Sequence, residues 1–130
     1  MTKIKISIPF GKEPNLNGRV YPPEVVKEMV ENINKKKIPL TNPVTEITAQ
    51  VNLKDVIGWL EEATYNEDGN RIELTCDVIS EEAFELIKRG FKIVPNGIGE
   101  IDSETRQVKD YSLVQFSITN DSAFDKKESE

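Results

Sequence analysis

The segment NLNGRVYPPEVVKEMVENI, residues 15–33, carries two signals that together decide the fold. Its second half places apolar side chains three and four positions apart, which predicts an amphipathic helix with one buried face formed by Val25, Val26, Met29, Val30 and Ile33. Pro22 and Pro23 fit the first turn of such a helix, because no backbone donor is needed there. The preceding run, Asn17-Gly18-Arg19-Val20-Tyr21, predicts a bend followed by a tyrosine that packs on the core.

The rest of the chain alternates between strand-like and helix-like patterns. Alternating apolar residues predict strands over residues 2–10, 55–65, 71–79, 91–101 and 107–119. Ser80 can cap a second helix that ends near Gly90, and Asp68-Gly69 predicts a hairpin turn between two of the strands. Residues 39–50 contain two prolines and no clear period, so they predict a loop or a short irregular strand.

These elements together predict an α+β domain, in which a mostly antiparallel, barrel-like sheet is covered by two helices. We expect this sheet to be a closed or half-closed barrel. The apolar pattern changes phase between Leu113 and Val114, which indicates a bulge or a strand buried on both faces. A single domain is expected over residues 1–124, with a charged tail over residues 125–130.

The charge and apolar content exclude several classes of function. The net charge is −6, and an acidic chain is poorly suited to nucleic acid, since that affinity comes from clustered Lys and Arg. The basic run at residues 35–37 falls at the expected end of the first helix, where it complements the helix dipole. No apolar run approaches the roughly 20 residues that span a bilayer. We therefore predict neither a nucleic-acid partner nor a membrane partner.

Two residue types limit the chemistry further. The chain contains 0 histidines, which removes every Ser-His and Cys-His nucleophile pair and every histidine metal ligand. Its 1 cysteine, Cys76, cannot form a zinc site of the cysteine/histidine kind alone. Cys76 alternates in phase with Ile72, Leu74 and Val78, which predicts a small buried hydrophobe. No metal and no cofactor are expected.

The order of these signals resembles that of the prohead proteases of tailed phages, the capsid-maturation serine proteases with an assemblin-like fold. Members of that family carry an Asn-x-(Asn)-x-Arg-(Ile/Leu/Val)-Tyr-Pro stretch before their first helix, and a Gly-Leu-Gly stretch after their nucleophile. The resemblance extends over residues 15–124. The positions that match the family signature are Asn17, Gly18, Arg19, Tyr21, Pro22, Pro43, Gly97 and Gly99.

The same resemblance implies that the catalytic residues are replaced. The family's histidine, which precedes a proline, corresponds to Asn42, and its two serines correspond to Val94 and Pro95. The arginine beside the nucleophile corresponds to Asn96. An asparagine amide has no titratable nitrogen to accept a proton, and neither valine nor proline has a nucleophile to activate. The resemblance therefore implies a catalytically degenerate homologue. Pro95-Asn96-Gly97 predicts a tight turn.

The residues leave some alternatives open. A Ser-Lys pair built on Ser80, Ser112, Ser117 or Ser122 is formally possible, and it would make the chain an active capsid-maturation protease. Arg19 is expected to bind a carboxylate or main-chain carbonyls inside the fold, with a partner contact as the alternative. Trp59 fits either the core or an interface.

The function implied by the resemblance is that of a non-enzymatic structural protein of a phage head. We expect the chain to bind the major capsid protein, as a decoration, cement or minor capsid component. A second expected partner is another copy of the chain, in a homo-oligomer. It would be assembled in the cytoplasm of the bacterial host and end in the virion. A regulatory partner of a separate prohead protease is a further alternative.

Overall fold

A computed structural model describes residues 2–14, 18–44 and 51–120. Over these ranges the strands and helices follow the chain as β1 (Thr2–Pro9), α1 (Pro23–Lys35), β2 (Ile38–Thr41), β3 (Val56–Asn66), β4 (Arg71–Val78), α2 (Glu81–Lys88), β5 (Lys92–Ile101) and β6 (Val108–Thr119). The strands form one sheet in the order β1-β4-β3-β2-β6-β5. All neighbours are antiparallel except β2 and β6, which are parallel.

The predicted α+β class, both helices and the longer strands are confirmed, and most boundaries agree within a residue or two. α1 begins at Pro23, as the two prolines predicted, and the Ser80 hydroxyl caps α2 by accepting from Ala83 N at 3.2 Å. Within residues 39–50, β2 continues as far as Thr41 as a short strand whose register with β3 shifts after Leu40, which confirms the short irregular strand predicted there. Residues 45–50 lie outside the described ranges. The tail at 125–130 also lies outside them.

The expectation of a barrel is wrong, because the sheet is open. Among the described residues, β1 pairs only with β4 and β5 pairs only with β6, although the two edge strands approach each other. Pro95 lies in β5 and has no backbone donor for a further ladder. The β5–β6 register also shifts after Asn96, and such bulges bend an edge strand away from a new partner.

One hydrophobic core holds the sheet and α1 together. α1 packs on β3 and β6, and its Val26, Met29 and Ile33 are almost completely buried. Leu40 and Phe116, which are partners in the parallel β2–β6 pair, are both 0% exposed. Burial of each large apolar side chain contributes on the order of 1.5–3 kcal/mol, so this contact layer is a main source of stability.

The phase change near Leu113 corresponds to a real irregularity. Asn96 lies opposite Gln115 and Gly97 lies opposite Leu113, so Val114 is an extra residue in β6. Beyond this bulge, residues 115–118 are buried at every position. β6 therefore contains a bulge and is also buried on both faces over residues 115–118. The two structures predicted as alternatives for this strand are both present.

A side chain of α1 hydrogen-bonds to the part of β3 that β2 is too short to reach. β2 has 4 residues and β3 has 11, so the second half of β3 extends beyond its neighbour. There the Asn34 side chain donates from Nδ2 to the carbonyl of Ala63 and accepts from the amide of Ala63, both at 2.9 Å. One side chain thus provides the pair of hydrogen bonds that an adjacent strand would provide.

Cys76 is buried in the core as predicted. It is 0% exposed, and burial raises the pKa of its thiol to about 12, with a smaller contribution from Glu61. Because the thiolate is the reactive form, this thiol is unreactive in the folded protein near neutral pH.

We expect Asn34→Ala to lower the free energy of unfolding by about 1–2 kcal/mol, because the two Ala63 backbone groups lose their partner. Urea unfolding followed by circular dichroism measures this change. Asn32→Ala is the matched control on α1, since it carries the same gain in helix propensity without removing the Ala63 contacts. An equal effect of the two substitutions would contradict the assignment.

Cys76 should remain unlabelled by a thiol-specific disulfide reagent at pH 8 in the native protein, and it should be labelled fully in denaturing urea. The reagent's absorbance measures both. Rapid stoichiometric labelling without urea would mean that the thiol is accessible, contrary to its burial.

Candidate functional site

The positions matched to the family's catalytic residues lie near one another across three neighbouring strands. Asn42 follows directly after β2, and Val94 lies in β5. Between them runs β6, where Ser117 is the register partner of both Thr41 and Val94. Adjacent strands are about 4.8 Å apart, so the backbones at Thr41 and Val94, on either side of Ser117, are separated by roughly 10 Å. The sheet therefore brings the two distant segments into one region.

Pro95, Asn96 and Gly97 do not form the predicted tight turn. All three lie within β5, where Pro95 is the partner of Phe116 and Asn96 is the partner of Gln115. The Pro-Asn-Gly pattern favours a turn locally, but the pairing with β6 overrides that preference. Proline is tolerated at this place because β5 is an edge strand.

A row of buried neutral side chains crosses this region. Thr41, Ser117, Gln115 and Asn96 are each at most 9% exposed. Gln115 Nε2 donates to Thr41 Oγ1 at 2.6 Å, and the Thr41 hydroxyl in turn donates to the carbonyl of Asn42 at 2.9 Å. Sequence reasoning identified Asn96 and considered Ser117, but it missed Thr41 and Gln115. Amides and hydroxyls of this kind do not titrate near neutral pH.

The serines considered for a Ser-Lys pair have other surroundings. The Ser80 hydroxyl caps α2, Ser112 is exposed opposite Ile98, and Ser117 is only 2% exposed. Ser122 lies outside the described residues. Within residues 2–14, 18–44 and 51–120, no hydrogen bond joins a lysine amine to a serine hydroxyl.

Three of the signature residues, Tyr21, Gly97 and Gly99, meet in an aromatic cluster around Tyr111. Tyr21 is buried as predicted, and its ring lies 5.1 Å from that of Phe10 and 5.8 Å from that of Tyr111, the latter edge to face. A Cβ on Gly97 would lie 2.5 Å from the Tyr111 ring, and one on Gly99 would lie 3.1 Å from Tyr111 Cα. Both glycines thus leave room for Tyr111, which sequence reasoning did not single out.

The segment before α1 is fixed to the β5–β6 turn. Val20 forms a parallel bridge with Gln107, in which Val20 N donates to the Arg106 carbonyl at 2.9 Å and Val108 N donates to the Val20 carbonyl at 2.8 Å. Arg106 Nε also donates to the carbonyl of Gly18 at 3.0 Å. Gly18 has a φ of 74°, a left-handed conformation that favours glycine. Asn17 lies outside the described residues.

A second turn fixes Tyr21 from the opposite side. Asn70, in the β3–β4 turn, donates from Nδ2 to the carbonyl of Tyr21 at 2.8 Å and to that of Gly11 at 3.1 Å. The Tyr65 hydroxyl donates to Asn70 Oδ1 at 2.7 Å, which orients the amide. These bonds connect the β3–β4 turn to Gly11 and to Tyr21, which are 59 and 49 residues away in sequence, so the backbone at Tyr21 is held in place by contacts that require no catalysis.

Arg19 is exposed, and it is close enough to the Tyr21 hydroxyl to affect its pKa. Burial raises the pKa of Tyr21, and the charge and hydrogen bond of Arg19 partly offset that rise. Burial also raises the pKa of Tyr111, nearby Tyr21 raises it further, and Arg19 opposes both. Both phenols are therefore neutral near pH 7. A contact between Arg19 and a partner stays a prediction.

The remaining predicted positions lie apart from the cluster. Pro22 is the residue before α1, and Pro43 follows Asn42 after β2. Trp59 is half-buried in β3 opposite Asp77, a place compatible with either of its expected roles. No group of three or more His, Cys, Asp or Glu side chains that could hold a metal occurs in the described part of the chain. No described helix is long and apolar enough to cross a membrane.

Gly97→Ala should lower the free energy of unfolding by about 1–3 kcal/mol, because the new methyl group meets both Tyr111 and the carbonyl oxygen of Ser112 at 2.5 Å. Gly99→Ala is the matched control in the same strand, where the closest atoms are 3.1 Å away and a smaller loss is expected. Urea unfolding of both variants tests the order. A Gly97→Ala protein as stable as the Gly99→Ala protein would contradict the close packing.

Comparison with known proteins identifies the fold. No protein-family model and no curated protein sequence matches the chain. Among solved structures, the capsid assembly protease gp21 of bacteriophage T4 is similar with a TM-score of 0.68 and 16% identity, over 88% of this chain and 79% of that one. At this identity the likeness establishes the fold alone. The chain thus has a prohead protease-like fold, in which an open mixed sheet of six strands is combined with two helices.

Proposed function

We propose that this chain is a non-enzymatic structural protein of a phage head, which binds the major capsid protein as a decoration, cement or minor capsid component. The observation that carries the proposal is the lack of any histidine, combined with a fold similar to that of a phage capsid assembly protease. The fold links the chain to phage heads, and the missing imidazole argues against proteolysis.

The residues around the candidate site support this proposal chemically. Asn42 offers an amide in place of a base, and Val94 and Pro95 offer no nucleophile. The nearest hydroxyls, those of Thr41 and Ser117, belong to residues that are 0% and 2% exposed, which restricts the approach of a peptide. A base and a nucleophile act as one unit in such enzymes, so the loss of both removes nearly all of the rate enhancement.

Binding to a capsid follows from what such a fold has to recognise. A protease that acts during capsid assembly has to bind proteins of the shell or its scaffold, and a homologue that has lost the chemistry can keep this binding surface. Many copies on a symmetric shell reach high avidity even when each contact is weak. The net charge of −6 favours a position on the outside of the head, away from packaged DNA.

The capsid role is tested by quantitative mass spectrometry of purified virions of the encoding phage. We expect the chain in mature particles at a fixed ratio to the major capsid protein, because a lattice offers one equivalent site per repeating unit. Absence from mature particles would contradict the proposal. Absence combined with co-purification with a separate prohead protease would instead support a regulatory role.

The non-enzymatic assignment is tested by incubating the purified chain with capsid and scaffold proteins and with a serine-reactive fluorophosphonate probe. We expect no new fragments and no labelled serine, because the chain has no histidine and no lysine amine is hydrogen-bonded to a serine hydroxyl within the described residues. Ser117→Ala provides the control for any background labelling at the candidate site. Labelling of one serine together with specific cleavage would show an active protease with a displaced catalytic pair.

A further inference from the structure

A groove lies where the C-terminal end of α1 meets β3 and β4, and none of the residues that line it belongs to the candidate site. Its volume is about 450 Å³, and it is lined by residues 33–37, 59–61 and 77. It therefore combines an aromatic ring, Trp59, with two acidic side chains, Glu61 and Asp77, and with the lysines that follow α1.

Asp77 is an unusual residue for the wall of a groove. It is only 7% exposed, and its Oδ1 atom has no hydrogen-bond partner among the described residues. A buried carboxyl oxygen without a partner is costly, so such groups are normally satisfied in native proteins. Trp59 is the register partner of Asp77, which places the two side chains on the same sheet face with Cβ atoms about 5 Å apart.

The neighbouring cations do not satisfy Asp77. Lys3 is its register partner on β1, but the Lys3 amine lies 3.3 Å from Glu61 Oε2 instead. The Lys35 amine lies 3.9 Å from Glu31 Oε2. Lys36 and Lys37 are exposed at the rim of the groove. The groove thus has an anionic wall beside an indole ring and a cationic rim.

We propose that the groove binds an arginine side chain, flanked by acidic residues, that a partner protein presents. A guanidinium can donate two hydrogen bonds to a carboxylate and stack on an indole, so it fits Asp77 and Trp59 together better than an ammonium does. The acidic neighbours of the arginine pair with Lys36 and Lys37. The identity of the partner as a capsid protein rests on the proposed function, whereas the site itself does not.

A metal ion is a poorer occupant of this groove. In the described part of the chain, no three acidic, cysteine or histidine side chains are placed so that they could hold a metal ion, and Glu61 is already paired with Lys3. Hard cations prefer six or more oxygen ligands, which two carboxylates do not supply. The indole ring beside Asp77 favours a flat organic cation instead.

The test uses the intrinsic fluorescence of Trp59, which is the 1 tryptophan of the chain and therefore reports on this groove alone. The full chain is titrated at low ionic strength with the peptide acetyl-Glu-Arg-Glu-amide. We expect a saturable change in emission, and at least tenfold weaker binding of acetyl-Glu-Gln-Glu-amide. A change that does not saturate, or equal binding of the two peptides, would overturn the proposal.

Three variants test which side chains bind the peptide. Asp77→Asn should weaken the arginine peptide at least tenfold, while Asp68→Asn in the exposed β3–β4 turn should leave its affinity unchanged. The exposed double substitution Lys36→Glu and Lys37→Glu should weaken acetyl-Glu-Arg-Glu-amide and strengthen acetyl-Lys-Arg-Lys-amide. Unchanged affinity in Asp77→Asn would refute the site, and unchanged peptide preference in the rim variant would refute the acidic flanks.

Failure of this inference can be distinguished from failure of the capsid role. If the chain binds the peptide but is absent from mature virions, the arginine site is supported and the capsid role is contradicted. Presence in virions without peptide binding would preserve the capsid assignment and overturn the arginine site.

Discussion

The structure depends on one very short strand, β2, which pairs antiparallel with β3 on one side and parallel with β6 on the other. β2 has 4 residues, yet it joins β3 on one side and β6 on the other. Without it, β1-β4-β3 and β6-β5 would be two separate sheets, each with an additional open edge. Leu40 and Thr41 form the parallel pair with β6 and are both 0% exposed, so the connection lies entirely inside the protein.

The residues that mark the likeness to prohead proteases serve packing as well as any lost chemistry. Tyr21, Gly97 and Gly99 surround one ring, that of Tyr111, and Asn70 fixes the backbone beside it. These packing contacts do not depend on catalysis. This explains how a sequence can keep a recognisable signature while the positions of the catalytic pair hold Asn42, Val94 and Pro95.

Local patterns predicted the elements that are long and regular. The alternation of apolar and polar residues predicted the longer strands, and the spacing of apolar residues after Pro22 and Pro23 predicted α1. β2 was obscured because it is short and includes Pro39, a residue that argues against a central strand. Pro95 was misinterpreted as part of a turn because its pairing with Phe116 is a tertiary effect.

The missed site residues share a different cause. Asn34, Asn70 and Gln115 act through hydrogen bonds to groups that are 29, 49 and 74 residues away in sequence. Such bonds leave no periodic signal, since a single polar residue in a loop, helix or strand has the same sequence pattern as a solvated one. The open sheet was missed for a similar reason, because closure depends on how two distant edges meet and not on either strand alone.

The parallel pairing of β2 with β6 also has a consequence for synthesis on the ribosome. Residues 40 and 41 pair with residues 116 and 117, so most of the domain emerges before the partner strand is made. Until then, a nascent chain that has already formed β1-β4-β3-β2 exposes the backbone of β2 along an apolar edge. Pairing with β6 covers this edge, so the exposure that favours aggregation ends when β6 has left the ribosome and packs beside β2.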